Sequence, residues 1–300
     1  MPRLMQMTGP VIDLVYRVRA LPASGEEAVV TGFEMTVGGG FNALAAARAA
    51  GIETTMGGTL GTGPFGYTAA AALGDRDIAC ARPPIPDHDQ GCCTVMLEPD
   101  GERSFIAWPG AEGRITAEAL ATIDLAPVDW VMVSGYTLHY PDACDALASW
   151  IEELPRDRRF LFDPSPMIAE LPPALVDTLR NRADWISANA VEARVMTGHT
   201  DAEVAVRALA WGRQGALVRL GADGCLLATK GTLHRLPAHE VTPVDTNGAG
   251  DCHIGSFVAE LSLSGDPLRA ARYANIAAAL SVTRQGPATP PDRDEVLALL

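Results

Sequence analysis

The sequence predicts an α/β fold: a mostly parallel central sheet covered by helices on both faces, with a small separate β-sheet beside it. Three observations carry this. From residue 130 onward, short apolar runs alternate with stretches at helical spacing, the pattern of a parallel sheet buried between helices. Earlier, Glu27–Val37, Cys92–Leu97 and Ser104–Trp108 mix β-prone apolar and polar residues, as a sheet with one solvated or partner-covered face does. Finally, 300 residues at 48% hydrophobic content can bury one large core.

Taken in order, Leu4 to Tyr16 is apolar and β-prone, broken at Gly9-Pro10, with Asp13 isolated among Val11, Ile12 and Leu14. Gly38-Gly39-Gly40-Phe41-Asn42 opens an alanine-rich helix, Ala43–Ala50, which Gly51 stops. Thr54–Leu60 is β-prone and leads into Gly61-Thr62-Gly63-Pro64-Phe65-Gly66. That G-x-G-x-x-G spacing raises a dinucleotide-binding reading, with Arg82 after the short strand Ile78–Ala81 as a partner for a 2′-phosphate. Cys92–Leu97 and Ser104–Trp108 are joined by Glu98-Pro99-Asp100-Gly101-Glu102, whose Asp-Gly is a hairpin signal. Strands are then expected at Trp130–Ser134, Phe160–Phe162, Asp184–Ser187, Ala216–Leu220 and Cys225–Ala228. Helices are expected at Asp142–Leu154, Pro173–Asn181, Val191–Thr197 and Ala202–Trp211. No linker or repeat divides residues 1–300, which reads as a single domain.

The densest chemistry lies at Val244-Asp245-Thr246-Asn247-Gly248-Ala249-Gly250-Asp251. Ile254, Phe257, Val258 and Leu261 follow at helical spacing, so a buried helix begins near Gly248. Its unpaired N–H groups suit a phosphate. Asp251 in the first turn places a carboxylate beside that cradle. Either Asp alone would be an ordinary capping acid. The unit is more specific than its parts.

This unit resembles the C-terminal signature of the ribokinase or PfkB family of carbohydrate kinases. The resemblance implies a ribokinase-like three-layer sandwich with a small β-sheet lid, formed here by about residues 14–37 and 90–109. It implies that Gly248, Ala249 and Gly250 bind the transferred phosphate and that Asp251 deprotonates the acceptor hydroxyl. Gly38, Gly39, Gly40 and Asn42 match the family's sugar-binding turn; Asp13 and Tyr136 would join them against the acceptor. Asn189 and Glu192 match its Asn-x-x-Glu motif, associated with phosphate and with Mg²⁺ held through water. Without the family, Asn and Glu at i, i+3 are an ordinary helix start. The Leu220-Gly221-Ala222-Asp223-Gly224 loop is similar to the family's nucleotide loop, so Arg219, Gly221, Asp223 and Gly224 would border ATP and Asn275 would lie near its base. Asp245, Asn247, Ser281, Arg284 and Gly286 would surround a monovalent cation such as K⁺, with Pro290 where relatives can offer a hydroxyl. Thr62 and Gly63 replace two acids of the family's Gly-Asp-Asp turn.

The formal charge of −14 argues against nucleic-acid and anionic-membrane partners. Lys230 is the only lysine and Gly231 follows it, so neither a Walker A loop nor a protein-kinase lysine is present. The six cysteines show no C-x-x-C or metal-ligand spacing, and Cys92-Cys93 reads as two strand residues facing opposite ways. With no signal peptide or long apolar span, the cytoplasm is expected. The histidines read as surface or core residues, and helical geometry turns His253 away from Asp251. The expectation is therefore an ATP-dependent kinase of a sugar or nucleoside hydroxyl, dimeric through lid residues such as Val29, Phe33, Val95 or Phe105. A ligand sensor on the same fold and an NADP-dependent oxidoreductase are the alternatives from other classes.

Overall fold

The computed structural model describes residues 1–300. Its thirteen strands form two sheets. The large sheet comprises β1 (Arg3–Gln6), β4 (Glu53–Met56), β5 (Ala79–Cys80), β8 (Trp130–Ser134), β9 (Arg159–Asp163), β10 (Trp185–Asn189), β11 (Gly215–Arg219), β12 (Cys225–Thr229) and β13 (Thr232–Leu236). They lie in the order β13-β12-β11-β10-β9-β8-β1-β4-β5. From β11 to β5 every pairing is parallel, while β12 and β13 add an antiparallel edge.

Side chains alternate across this sheet, which gives two cores. On β8, Trp130 and Met132 enter one cluster and Val131 and Val133 the other. The first face is covered by α1 (Gly40–Ala49), α2 (Pro64–Asp75), α9 (Ala249–Ser264), α10 (Pro267–Ser281) and α11 (Arg293–Leu297). The second is covered by α3 (Ala117–Ala121), α4 (Gly135–Leu138), α5 (Pro141–Glu152), α6 (Pro173–Arg182), α7 (Ala190–Thr197) and α8 (Ala202–Ala210). That is the expected three-layer sandwich. Helix α9 is buried all round from Cys252 to Leu261, as a helix inside a layer must be. It packs on α1 so closely that a Cβ at Gly255 would lie 2.1 Å from the Ala43 carbonyl oxygen.

The small sheet has the order β3-β2-β6-β7: β2 (Pro10–Val18), β3 (Val30–Gly39), β6 (Cys92–Leu97) and β7 (Arg103–Trp108). The run Leu4–Tyr16 is thus two strands in different sheets, parted at Gly9-Pro10, and its second half is a fourth lid strand. Register partners point the same way across a sheet. Leu14, Met35, Thr94 and Ile106 lie abreast, as do Ile12, Val37, Cys92 and Trp108, and they share one face. On that outer face Phe33 is 58%, Met35 46%, Ile106 62% and Trp108 72% exposed. Val95 and Phe105 belong to the opposite face, and Val95 is buried. These two are therefore removed from the expected partner-facing set.

Candidate active site

Four neighbouring parallel strands end in polar side chains at one edge of the sheet: Ser134 on β8, Asp163 on β9, Asn189 on β10 and Arg219 on β11. Ser134 lies abreast of Asp163, and Asn189 abreast of Arg219. Ligands of open parallel sheets sit beyond this edge, because the chain turns there from strand to helix. The Ser134 hydroxyl donates to Asp163 at 3.0 Å. The Arg219 guanidinium donates to Ser187 at 2.7 Å and to Glu192 at 3.4 Å, and lies 3.6 Å from Asp163.

Asn189 caps α7, and Glu192 returns the bond in a full capping box. The pair is a helix start by geometry, and its hydrogen bonds engage both Glu192 carboxylate oxygens. Asp163 is different. One of its oxygens is buried with no hydrogen-bond partner. Sequence reasoning missed Asp163 because it ended the strand at Phe162; the signal was its place as the last residue of a strand, the rule that singled out Asn189.

Two helix starts converge on this edge. Gly248, left-handed at φ 73°, turns the chain into α9, and no side chain caps that helix. Only glycine fits there, since a Cβ would lie 2.3 Å from the Pro287 carbonyl oxygen. The Gly250 and Asp251 N–H groups are thus left for an anion, while Ala249 N–H donates to the Thr246 carbonyl at 3.4 Å. Asp251 follows in that turn, and the Asn42 amide from the start of α1 donates to its carboxylate at 3.0 Å. The oxygen of that amide is buried without a partner. Burial pushes Asp251 up to about 6; Asn42 opposes the shift and the Asp163 charge adds to it. Burial likewise raises Glu192 to about 6, with Asp163 adding to the shift and Arg219 opposing it. Asp13 reaches about 6 through burial alone. It lies against Gly38, where a Cβ would meet its Oδ2 at 2.4 Å.

Two cavities meet here. One of about 180 Å³ holds Asp251, Asp163, Glu192, Arg219 and the Gly248–Gly250 turn, with Tyr136 at its wall. The other, of about 780 Å³, is lined by Asn189, Gly221, Gly224, Gly250, His253 and Asn275 among others. Arg219 borders both. A small chamber with a carboxylate and an anion cradle, joined to a larger one, fits transfer of a phosphoryl group between two ligands.

A family model described as pfkB family carbohydrate kinase matches residues 7–294. The chain belongs to the pfkB family of carbohydrate kinases. It is 30% identical to the uncharacterized sugar kinase YegV of Escherichia coli K12, over 98% of this chain and 92% of that protein. It is 28% identical to the ATP-dependent ribose-1-phosphate kinase of Halopiger xanaduensis, over 96% and 94% of the two chains. Among solved structures, ribokinase from Giardia lamblia superposes with TM-score 0.86 at 23% identity, covering each chain fully. Arabidopsis thaliana ribokinase, complexed with ribose and ATP, gives 0.82 at 24% identity over 99% and 98%. These two structures establish the ribokinase-like fold.

The kinase's other sequence-marked residues fall unevenly. Gly221 and Gly224 line the larger cavity, but Asp223 does not. Asn275 lines it with its amide already committed to the Leu236 and Pro237 carbonyls and to His253. His253 does turn away from Asp251, yet into the larger cavity; burial holds it at about 3, so it is neutral. Asp245, Ser281 and Gly286 lie close together: Gly286 N–H donates to Asp245, and the Thr289 hydroxyl reaches the Ser281 and Gly286 carbonyls. The Asp245 carboxylate is also engaged by Arg103 at 3.2 Å, while the Arg284 guanidinium turns to Pro290 and Glu295.

The G-x-G-x-x-G motif is closed to a dinucleotide. Asp89 places its carboxylate on the Phe65 and Gly66 N–H groups at the start of α2, where a pyrophosphate would sit. Arg82 is committed to Gly57 and Thr59.

Proposed function

We propose that the kinase transfers the γ-phosphoryl group of ATP to a hydroxyl of a sugar or sugar-like acceptor, with Asp251 as general base. The observation that carries this is the Asn42–Asp251 contact. It joins the glycine turn expected to hold the acceptor to the turn expected to hold phosphate, and Asp251 lines the smaller cavity. A carboxyl raised to about 6 is ionised at neutral pH and still a competent proton acceptor.

In this reading the acceptor hydroxyl gives its proton to Asp251 as its oxygen bonds to the γ-phosphorus. The bond from that phosphorus to the β–γ bridging oxygen breaks, and ADP leaves with the electron pair. The free N–H groups at Gly250 and Asp251 and the Arg219 guanidinium face the charge on the transferring group. Asp13, Asn42 and Tyr136 orient the acceptor, and the large cavity takes the nucleotide.

The donor set suits Mg²⁺, since Asp163 offers beside Glu192 a buried oxygen that accepts no hydrogen bond, although the Arg219 guanidinium lies 3.6 Å from it. Bound with ATP, the metal supplies positive charge to the phosphate oxygens. Asp163 and Glu192 would hold it. A monovalent cation at Asp245, Asn247, Ser281, Arg284 and Gly286 is a lesser part of the reading, because Arg103 already neutralises Asp245.

We further read the kinase as a cytoplasmic homodimer through the lid. Support comes from the six unpaired cysteines and from the exposed apolar outer face of the lid. No helix is long and apolar enough to cross a membrane. Purified protein, MgATP and a panel of sugars, scored by coupled ADP detection, test the activity. Acceptor-dependent ADP supports it; nicotinamide turnover without ADP would move the chain to the oxidoreductase class, and tight binding without ADP to the sensors.

A further inference from the structure

The loop that opens the phosphate turn carries a charge that the kinase has to neutralise. Asp245 stands three residues before Gly248, and 14% of its side chain is exposed. An unpaired carboxylate there would oppose the negative charge that the Gly248–Gly250 turn gathers. The sequence leads one to expect a monovalent cation against Asp245. The donors around it leave no room for one.

Asp245 Oδ1 accepts the Asn247 N–H at 2.9 Å and the Arg103 guanidinium at 3.2 Å. Its Oδ2 accepts the Gly286 N–H at 3.2 Å and the Gln285 amide at 3.4 Å. Four donors fill the roughly four lone-pair positions of one carboxylate, so a metal ion would have to displace one of them. The Ser281 carbonyl is engaged twice as well, by the Arg284 N–H at 3.1 Å and the Thr289 hydroxyl at 3.5 Å. These residues do not fit an inorganic cation. They fit the guanidinium they already hold.

Arg103 is the one ion-pair partner of Asp245, and it comes from the lid. It begins β7, abreast of Leu97 beside the hairpin. Gln285 adds a second tie, since its amide also lies 3.5 Å from Glu34 on β3, at the other edge of the small sheet. The two outer strands of the lid thus meet the body at one carboxylate. Between them a cavity of about 400 Å³ is lined by Arg103, Asp245, Asn247 and Gly286. Arg103 is 30% exposed, so small ions in solution can reach the pair.

We propose that the Arg103 guanidinium is the resident counter-cation of Asp245, so that the lid supplies the charge a monovalent cation would bring and transfer is independent of K⁺. Arg103 is a positioning residue in this role. It holds Asp245 and, through the bond from Asn247 N–H, the loop ahead of Gly248. An isolated surface ion pair contributes little; this one is reinforced by three further donors to the same carboxylate. The inference rests on the kinase reading and takes the monovalent cation out of it, while the phosphoryl step is unchanged.

The test follows label from γ-labelled ATP into product, using the full chain, Mg²⁺ and the best acceptor of the sugar panel, in K⁺, Na⁺ or tetramethylammonium salts of equal ionic strength. The parent should turn over at rates within about twofold in all three, because no cation site is left to fill. Arg103→Ala should be slowed about tenfold or more in tetramethylammonium, the loss of one charged hydrogen bond. K⁺, or guanidinium below denaturing concentration, should restore most of that rate. Arg103→Lys keeps the charge and should stay indifferent to K⁺. Thermal unfolding without substrates gives a readout apart from turnover: K⁺ in place of tetramethylammonium should raise the midpoint of Arg103→Ala more than the parent's. Arg103 stands partly exposed at the start of a strand, so these variants should fold. A parent that K⁺ speeds several-fold, an Arg103→Ala that no cation restores, or an equal K⁺ shift in both midpoints would overturn the proposal and leave the kinase standing. No label transfer by the parent in any salt would overturn both.

Discussion

Asp13 shows at the scale of one residue how this site trades stability for binding. No positive charge or hydrogen bond offsets its burial, and its carboxyl is pushed from 3.8 to about 6. Between those values the folded chain holds more of that proton than the unfolded chain does, so this contribution to stability falls as pH rises. Asp13→Asn should therefore be more stable than the parent at pH 8 by about 1–3 kcal/mol, with a gap that narrows toward pH 4. Thermal unfolding at both pH values checks this, and a variant less stable at pH 8 would contradict it. Asp251 and Glu192 share the shift. Turnover should fall as pH drops through about 6, where the base takes up its proton; a rate flat from pH 5 to 8 would exclude these carboxyls. Glu192→Gln should raise the Mg²⁺ concentration needed for half-maximal rate, and direct metal titration of the MgATP complex gives a second readout. Asp251 and Asn42 were legible in the sequence because their glycine-rich surroundings are unusual. Asp163 was not, since an Asp after three apolar residues is ordinary until its strand is seen to end beside Asn189 and Arg219.

Elements meet at glycines where the chain crosses between the sheets. The four crossings pass Gly9, Gly39-Gly40, Gly91 and Gly110, and one side chain ties three of them. Buried Glu112 accepts from Gly91 and Gly110 N–H at 2.8 and 2.9 Å and from the Gln90 amide, which also reaches the Pro10 carbonyl. A Cβ at Gly9 would lie 2.5 Å from the Glu112 Cβ. Glu112 thus fixes where the lid leaves the body. Glu112→Ala strands the buried Gly91 N–H, at about 1–3 kcal/mol, and the half-buried Gly110 N–H at less. It should raise KM for the acceptor, whose proposed ligand Asp13 is on the lid, more than KM for ATP, whose proposed cavity is in the body. Equal changes would reduce Glu112 to a stability residue. The sequence marked the break at Gly9-Pro10 but not the change of sheet there, because the apolar pattern is the same on both sides. It missed β13 altogether. Thr232–Leu236 is an edge strand of mixed polarity, and its pairing with β12 depends on a hairpin at Lys230-Gly231, both left-handed.

The whole molecule was the most legible scale, since alternation of strand and helix fixes the layers whatever the details of each boundary. Register adds what alternation alone could not: which lid face looks outward. Phe33, Met35, Ile106 and Trp108 share that face, and exposed apolar side chains of this kind are what a partner covers. Sedimentation at micromolar concentration should find a dimer, and Ile106→Arg with Trp108→Arg should give a folded monomer. A parent that is already a fully active monomer would contradict the interface. The central claim is that this sandwich holds ATP and acceptor on either side of one carboxylate. Single-turnover transfer from γ-labelled ATP, with binding of both ligands measured in parallel, tests it in Asp251→Asn. Both ligands should bind within a few-fold of the parent while transfer falls by about 10³-fold or more. Transfer near the parent's rate, with both ligands bound, would contradict it.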